Sequence, residues 1–594
     1  MTTKSSKYLG KLPVWNLKDL YNSANGKEIL NDLKYIEKSA INFEKKYEGK
    51  VENLEAGKLY EAIINLEKID EKMSKIICYA SLLHSENIEN EKNRIFFQQM
   101  QEKITKYYNL LLFFNLEINN LSKNQLNQKL KNKKLKKFET WINNLRNFKS
   151  HQLEKKLEKL MQDKSITAAS SWIRFFDETI ASLRFPFNNK NLSSAEILNL
   201  LSHRDSKIRK QAAKSLGKVL EKNVKIFATI TNTLAKDKSI NDDWRKYPNP
   251  VRSRNLSNVV EDEVVDALSE AVTSSYSNLS HRYYKIKAKW FRKKSLNYWD
   301  RNAPLPFQHD KKYSWENAKE IVCEAYTNFH PTMGDIVQKF FDKSWIHSPV
   351  TNGKSPGAFS ASTVPSVHPY ILVNFQGKIR DVATLAHELG HGVHQYLAAK
   401  KQGHFNSDTP LTLAETASVF GEMLTFKLIL NKEKNPKIKK ALLANKVEDM
   451  LNTVVRQIAF FEFEKKVHNK RKVSELSVNE ICQLWIDTQK ASLGPAIKFE
   501  DEYKYYWTYI PHFIHSPFYV YAYAFGDCLV NSLYASYEED LDNFEEKYIK
   551  LLEAGGSIRY KKLLKPFNIN PANSNFWHKG LSVISSFIDE LSEI

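Results

Sequence analysis

From about Asn25 to Leu183 apolar residues recur three and four positions apart, as at Leu59, Ala62, Ile63 and Leu66, with lysine and glutamate between them. That spacing gathers the apolar set on one stripe of an α-helix and would scatter it over both faces of a strand, so it restricts the chain to packed helices. Punctuation is correspondingly scarce. The 594 residues include only 18 glycines and 18 prolines, against ordinary frequencies of roughly 7% and 5%, which disfavours a turn-rich β-sandwich and a low-complexity disordered chain alike. The length is about four times that of a typical domain, so two or more packed units are expected.

Breaks in the helical pattern suggest the organisation. Leu183 to Asn191 (LRFPFNNKN) interrupts it, and Ser193 with Glu196 three residues on has the form of a capping box that opens a new helix. This places a boundary near residue 190, dividing an N-terminal helical domain, 1–190, from a second domain, 191–594. The second helical series pauses at Tyr247 to Pro250 (YPNP) and runs to about Ala303. Residues 353–377 (GKSPGAFSASTVPSVHPYILVNFQG) are unlike the rest, a glycine- and proline-rich loop followed by a strand-like run, Tyr370 to Phe375. The four cysteines, Cys78, Cys323, Cys482 and Cys528, are far apart and form neither a disulfide framework nor a C-x-x-C cluster. The first fifteen residues lack the apolar stretch of a secretory signal, and no apolar run approaches the roughly 20 residues of a membrane span. A cytoplasmic protein with no membrane partner is expected.

Residues 387–391 read His387-Glu388-Leu389-Gly390-His391, the H-E-x-x-H pattern. On a helix, side chains four apart share a face, so both imidazoles can bind one metal ion while Glu388 points toward a water beside it. The five-residue pattern also arises by chance in a few per cent of chains this size, so a third ligand must support the reading. Glu415, in LAETASVFGE, stands 24 positions after His391 on a second helical segment, and a carboxylate there completes the His₂Glu set that leaves zinc an open position. Glu422, two turns beyond Glu415, is either an orienting partner of a ligand imidazole or a solvated carboxylate. His394 and His404 are read as non-ligands, because the metal should sit between His387 and His391.

The residues HPYILVNFQGKIRDVATLAHELGHGVHQ, followed by LAETASVFGE, resemble the M3 family of zinc oligopeptidases, in particular its oligoendopeptidase F branch. The opening Leu12-Pro-x-Trp15, with Leu17-Lys18-Asp19-Leu20-Tyr21 after it, is similar to that family's start. The resemblance implies a mainly α fold: a multi-helix N-terminal region and a gluzincin-type zinc metallopeptidase domain with a small β-sheet, enclosing a channel for short unfolded peptides. It implies one Zn²⁺ per chain held by His387, His391 and Glu415, with Glu388 as general base and then acid. It also implies hydrogen-bond donors to the transition state from Ile510 to Gly526 (IPHFIHSPFYVYAYAFG), with His512, Tyr519 and Tyr521 chosen by position and His515 and Tyr523 as secondary candidates. Ile514 and His515 depart from the aromatic residues usual there. Tyr370 to Phe375 is the candidate edge strand for an extended peptide, beside a loop at Gly357, the alternative being a plain closure of a small sheet.

The formal charge of +21 admits a rival reading. Basic clusters at Lys131 to Lys137 and at Lys285 to Lys294, the latter with Trp290 and Phe291 interleaved, are what a helical scaffold touching nucleic acid would carry, its metal motif being relict. Both clusters lie in helical segments, where solvated faces account for them, so no nucleic-acid partner is expected. Cleavage preference and oligomeric state are not legible.

Overall fold

The computed structural model describes residues 8–165, 167–307, 311–539 and 542–594. It is helical almost throughout, with three small sheets among the described residues. The chain forms two compact units, each assembled from separated segments: Met1–Lys149, Asp310–Lys432 and Ser536–Ile569 in the first, Ser150–His309, Glu433–Ala535 and Asn570–Ile594 in the second. A cut at residue 190 is a different partition. It follows a local break in helix periodicity, where Phe185–Phe187 pairs antiparallel with Lys190–Leu192, and that hairpin lies inside the second unit. Ser193 does form the capping box with Glu196 and starts the helix Ser194–Leu200.

In the first unit three long helices, Lys27–Tyr47, Ala56–Glu86 and Glu91–Asn120, bury the stripes read from the sequence, Leu59, Ala62 and Ile63 being fully inaccessible. The unit's sheet has three short strands. Tyr370–Leu372 is its centre, parallel to Ile346–His347 on one side and antiparallel to Phe359–Ala361 on the other, with Ser360 opposite Ile371. The sequence left Tyr370 to Phe375 as either an exposed edge or the plain closure of a small sheet, and the structure puts Tyr370–Leu372 at the centre of the sheet. Tyr370, Ile371 and Leu372 are wholly buried and paired on both sides, which is what a continuous apolar run accomplishes. Phe359–Ala361 is an edge strand instead, and its three residues are only half-buried. The Leu12–Trp15 opening is tied to this sheet. Ser348 N–H donates to Pro13 O at 3.0 Å, the Tyr370 hydroxyl donates to Asn16 O at 2.8 Å, and the Trp15 ring meets His347 edge-on.

The second unit is built around the 39-residue helix Ser206–Trp244, which ends just before the YPNP segment. A buried ion pair, Arg209 to Asp300 at 2.6 Å, joined by Lys293, fixes the start of that helix to the turn at 298–300. The helices Val455–Val473 and Val478–Leu493 complete the core around Trp485.

Candidate metal centre

Two helices of the first unit carry the motif residues. The first, Ile379–Gln402, is anchored at its start by Asp381, which accepts from the N–H groups of Gln376 and Lys378 at 2.8 and 2.9 Å, and it ends at Gly403 with φ +80°. Val382, Leu385, Ala386, Leu389 and Val393 form its buried face, which turns His387 and His391 together to one side of the same helix. The second, Leu411–Lys432, presses against it at Gly390, where a Cβ would collide with the backbone at Ala417 and Ser418. Gly421 lies as closely against Tyr326, whose hydroxyl donates to Ala386 O at 2.7 Å. These two glycines permit the approach that brings Glu415 to the histidines.

The donor atoms converge. Nε2 of His387 and Nε2 of His391 lie 3.4 and 3.6 Å from Glu415 Oε2. Zinc bonds of about 2.0–2.1 Å in a regular tetrahedron require ligand–ligand edges of about 3.3–3.4 Å, so the arrangement fits the ion in both chemistry and spacing. Among the described residues this is the only group of three or more such side chains that could hold a metal. The supporting contacts are also in place. Glu422 Oε2 is 3.5 Å from His387 Nδ1, and Ser418 Oγ donates to Glu415 Oε2 at 2.8 Å. The sequence pointed to Glu422 as one of two readings. It did not show Ser418, although a hydroxyl three residues after a ligand glutamate on one helix is a usable signal.

Electrostatics follow the packing. Burial pushes the Glu388 carboxyl up to about 7, opposed by His387, reinforced by Glu415 and opposed again by a hydrogen bond from the backbone of Ser360 on the edge strand. Burial lowers His391 to about 4, with Glu415 opposing; His387 is raised, its hydrogen bond to Glu422 and the charges of Glu415 and Glu388 outweighing desolvation. The other two histidines are occupied elsewhere. His394 is buried, its Nε2 3.5 Å from Thr409 Oγ1, and His404 Nε2 is bonded to Asp70 at 2.7 Å.

Comparison with known proteins shows the family. The model of peptidase family M3 matches residues 199–583, and that of the oligopeptidase F N-terminal region matches 117–185. The chain belongs to peptidase family M3. It is a metalloendopeptidase, a hydrolase of oligopeptides, and zinc is the metal its family implies. This M3 chain is 25% identical to oligopeptidase PepF of Bacillus subtilis over 98% of its length and 87% of that protein's. It is 28% identical to an oligoendopeptidase F homolog of Borreliella burgdorferi over 91% of each. In fold it resembles a solved chain from Chlamydophila abortus, with a TM-score of 0.88 at 22% identity over 98% of both. Against oligoendopeptidase-F from Enterococcus faecium the TM-score is 0.70 at 22% identity, over 96% of this chain and 98% of that one.

In the second unit of this M3 peptidase the C-terminal aromatic segment divides in two. His512, Tyr519 and Tyr523 gather: His512 Nε2 is 3.4 Å from the Tyr523 hydroxyl, the Tyr519 and Tyr523 rings meet edge-on at 5.3 Å, and Arg254 lies over Tyr519. Tyr521 does not join them. It is wholly buried against Phe461, and its hydroxyl accepts from Asn258 at 2.8 Å. Two residues along a helix turn a side chain through about 200°, so Tyr521 and Tyr523 face opposite ways on Tyr521–Glu538. His515 is held by Asp177 at 2.8 Å. Burial and the Asn258 contact separate Tyr521 from the cluster that His512, Tyr519 and the part-exposed Tyr523 form, which favours Tyr523 over Tyr521 as the hydroxyl to propose as a donor. Of the basic clusters, Lys287 is internal and bonded to Glu448, and Lys293 is paired with Asp300.

Proposed function

We propose that this chain is a zinc-dependent endopeptidase that cleaves internal bonds of short oligopeptides, with one Zn²⁺ held by His387, His391 and Glu415. The observation that carries the reading is the convergence of two Nε2 atoms and one carboxylate oxygen at tetrahedral spacing beside a buried Glu388. Bound there, zinc supplies a Lewis acid that polarises the scissile carbonyl and acidifies a water. The remaining work belongs to the chain. Glu388 takes the proton of the attacking water on its carboxylate and delivers it to the departing amine nitrogen, the acid–base double duty open to a buried carboxyl beside the metal. Glu422 holds His387 by Nδ1 and so keeps Nε2 bare for the metal. For the transition-state donors that the family resemblance implies, we assign His512, Tyr519 and Tyr523.

Substrates are short and unfolded, in keeping with the oligopeptidase names of the relatives. We place the enzyme in a reducing cytoplasm with no nucleic-acid partner. Its four cysteines are unpaired, no helix among the described residues is long and apolar enough to cross a membrane, and part of the basic clusters is internally neutralised. The sequence division into domains 1–190 and 191–594 is retained as a proposal, since residue 190 falls between the two family matches, 117–185 and 199–583.

The test combines metal analysis with mass spectrometry of products from a mixed short-peptide library, for wild type and Glu388→Gln. Stoichiometric zinc in both, cleavage by wild type only, and no digestion of a folded protein are expected. Equal cleavage by both proteins overturns the role of Glu388, and a metal-free active enzyme overturns the centre.

A further inference from the structure

Within the second unit a cavity of about 240 Å³ is walled by Trp485, Tyr503 and Tyr509 and lined by the side chains of Arg301, Arg456 and Gln489. Its polar chemistry is one-sided. Among the described residues no carboxylate forms an ion pair with either arginine. Glu448, the acid whose charge reaches Arg301, is bonded to Lys287 and accepts from the Tyr283 hydroxyl at 2.7 Å. Arg456 Nε and Gln489 Nε2 are shielded from solvent and meet no acceptor, while Gln489 Oε1 is already occupied by the Tyr503 hydroxyl at 3.1 Å. Desolvation and the neighbouring charge of Arg301 both hold the Arg456 guanidinium below its ordinary range, with the surrounding tyrosines opposing. Arg456 also lies over the Phe460 ring at 5.0 Å, which leaves its Nε, like the Gln489 amide, buried without an acceptor among the described residues, and buried donors of that kind are costly because they lose hydration.

We propose that this cavity is an anion-binding site whose ligand is a monocarboxylate. The two guanidiniums and the Gln489 amide receive the carboxylate oxygens, a geometry that arginine's fork suits, and the aromatic walls receive an apolar substituent. A single water needs only about 10–15 Å³ of such space, so the cavity has room for an organic substituent beyond the anionic group itself. The site is made by the second unit alone and shares no residue with the metal centre.

The experiment measures thermal unfolding and tryptophan fluorescence of the full chain with N-acetyl-phenylalanine, its neutral amide, or sodium chloride at matched ionic strength. N-acetyl-phenylalanine is expected to raise Tm saturably while the amide does not. Arg456→Gln and Arg301→Gln should weaken the apparent affinity about tenfold or more, the loss of a charged hydrogen bond. Because both variants alter a packed interior and can impair folding, Gln489→Glu provides an independent check: a carboxylate supplied by the chain itself should raise Tm without ligand and abolish the response to the probe. Saturation by chloride alone, with nothing added by N-acetyl-phenylalanine, overturns the monocarboxylate and assigns an inorganic anion to the same guanidiniums. Equal responses to acid and amide, an undiminished response in both arginine variants, or a Gln489→Glu protein less stable than wild type would overturn the site.

Discussion

Glu422 Oε2 stands 3.5 Å from Nδ1 of His387, whose Nε2 is 3.4 Å from Glu415 Oε2, so one imidazole is held from both nitrogens by carboxylates of a single helix. The two glutamates are seven residues apart, close to two helical turns, and therefore share a face. The inner carboxylate is placed to ligate and the outer one to fix tautomer and ring orientation. Glu422→Gln should accordingly weaken zinc retention by roughly 10- to 100-fold, the usual consequence of losing such an outer partner. At saturating zinc most of kcat should return. Chelator competition followed by zinc titration of activity checks both, and a kcat deficit that zinc does not relieve would assign Glu422 to the chemistry itself.

The x-x interior of the motif is set by packing. A Cβ at Gly390 would meet main-chain atoms of Ala417 and Ser418, which can yield only if the glutamate helix shifts, whereas one at Gly392 would meet the ring of Phe340. Gly390→Ala should therefore cost about 1–3 kcal/mol in stability, as overpacking does. It should also lower zinc affinity, because it moves Glu415 away from the histidines. Gly392→Ala should be milder on both measures. Thermal unfolding and metal content of the two variants, compared side by side, provide the check. Equal zinc affinity in wild type and Gly390→Ala would sink the geometric argument.

Tyr521 and Tyr523 offer a matched pair of hydroxyl deletions. Tyr521→Phe removes the buried hydrogen bond that its hydroxyl accepts from Asn258, so it should cost about 0.5–1.5 kcal/mol of stability and leave kcat nearly unchanged. Tyr523→Phe removes a hydroxyl from a partly exposed cluster, 38% accessible at this residue, and should leave stability within about 0.5 kcal/mol of wild type. If it donates to the transition state, kcat should fall by about 10²-fold with KM little changed. The reverse pattern of kcat losses would restore Tyr521 as the donor.

These residues also mark how far sequence reaches. Helix periodicity exposed the core stripes because one face of each helix is enough to identify, and the candidate ligand set was legible because metal chemistry would tie it to fixed spacing on two helices. Edge or closure stayed open at Tyr370 to Phe375 for a reason intrinsic to sheets. A run such as Tyr370-Ile371-Leu372 records burial on both faces, while edge or centre depends on distant partners at 346–347 and 359–361. Tyr521 was chosen by position in a motif, and its inward direction is fixed by Phe461 and Asn258, neither close in sequence. The two units interleave six segments of chain, and no local signal announces which segments share a core.

Glu464 carries a pH dependence separate from catalysis. It is 2% exposed on the helix Val455–Val473, its Oε1 accepts from Phe518 N–H at 2.9 Å, and Oε2 meets no donor among the described residues. Burial pushes its carboxyl up to about 8, with the Phe518 amide and Arg254 opposing. A carboxyl raised on folding stabilises the fold fully below its unfolded value near 4.5, and that contribution is lost as pH rises toward 8, because the unfolded chain then releases a proton the folded chain retains. Glu464→Gln keeps an oxygen for Phe518 and has no proton to lose. Its stability relative to wild type should thus be near level at pH 4.5, climb steadily to pH 8, and flatten above. The ceiling is on the order of 5 kcal/mol, since each tenfold difference in proton affinity between folded and unfolded chain is worth about 1.4 kcal/mol. Denaturant unfolding of both proteins at intervals from pH 4.5 to 9 measures the curve, and a difference independent of pH across that window would show that Glu464 titrates normally in the fold.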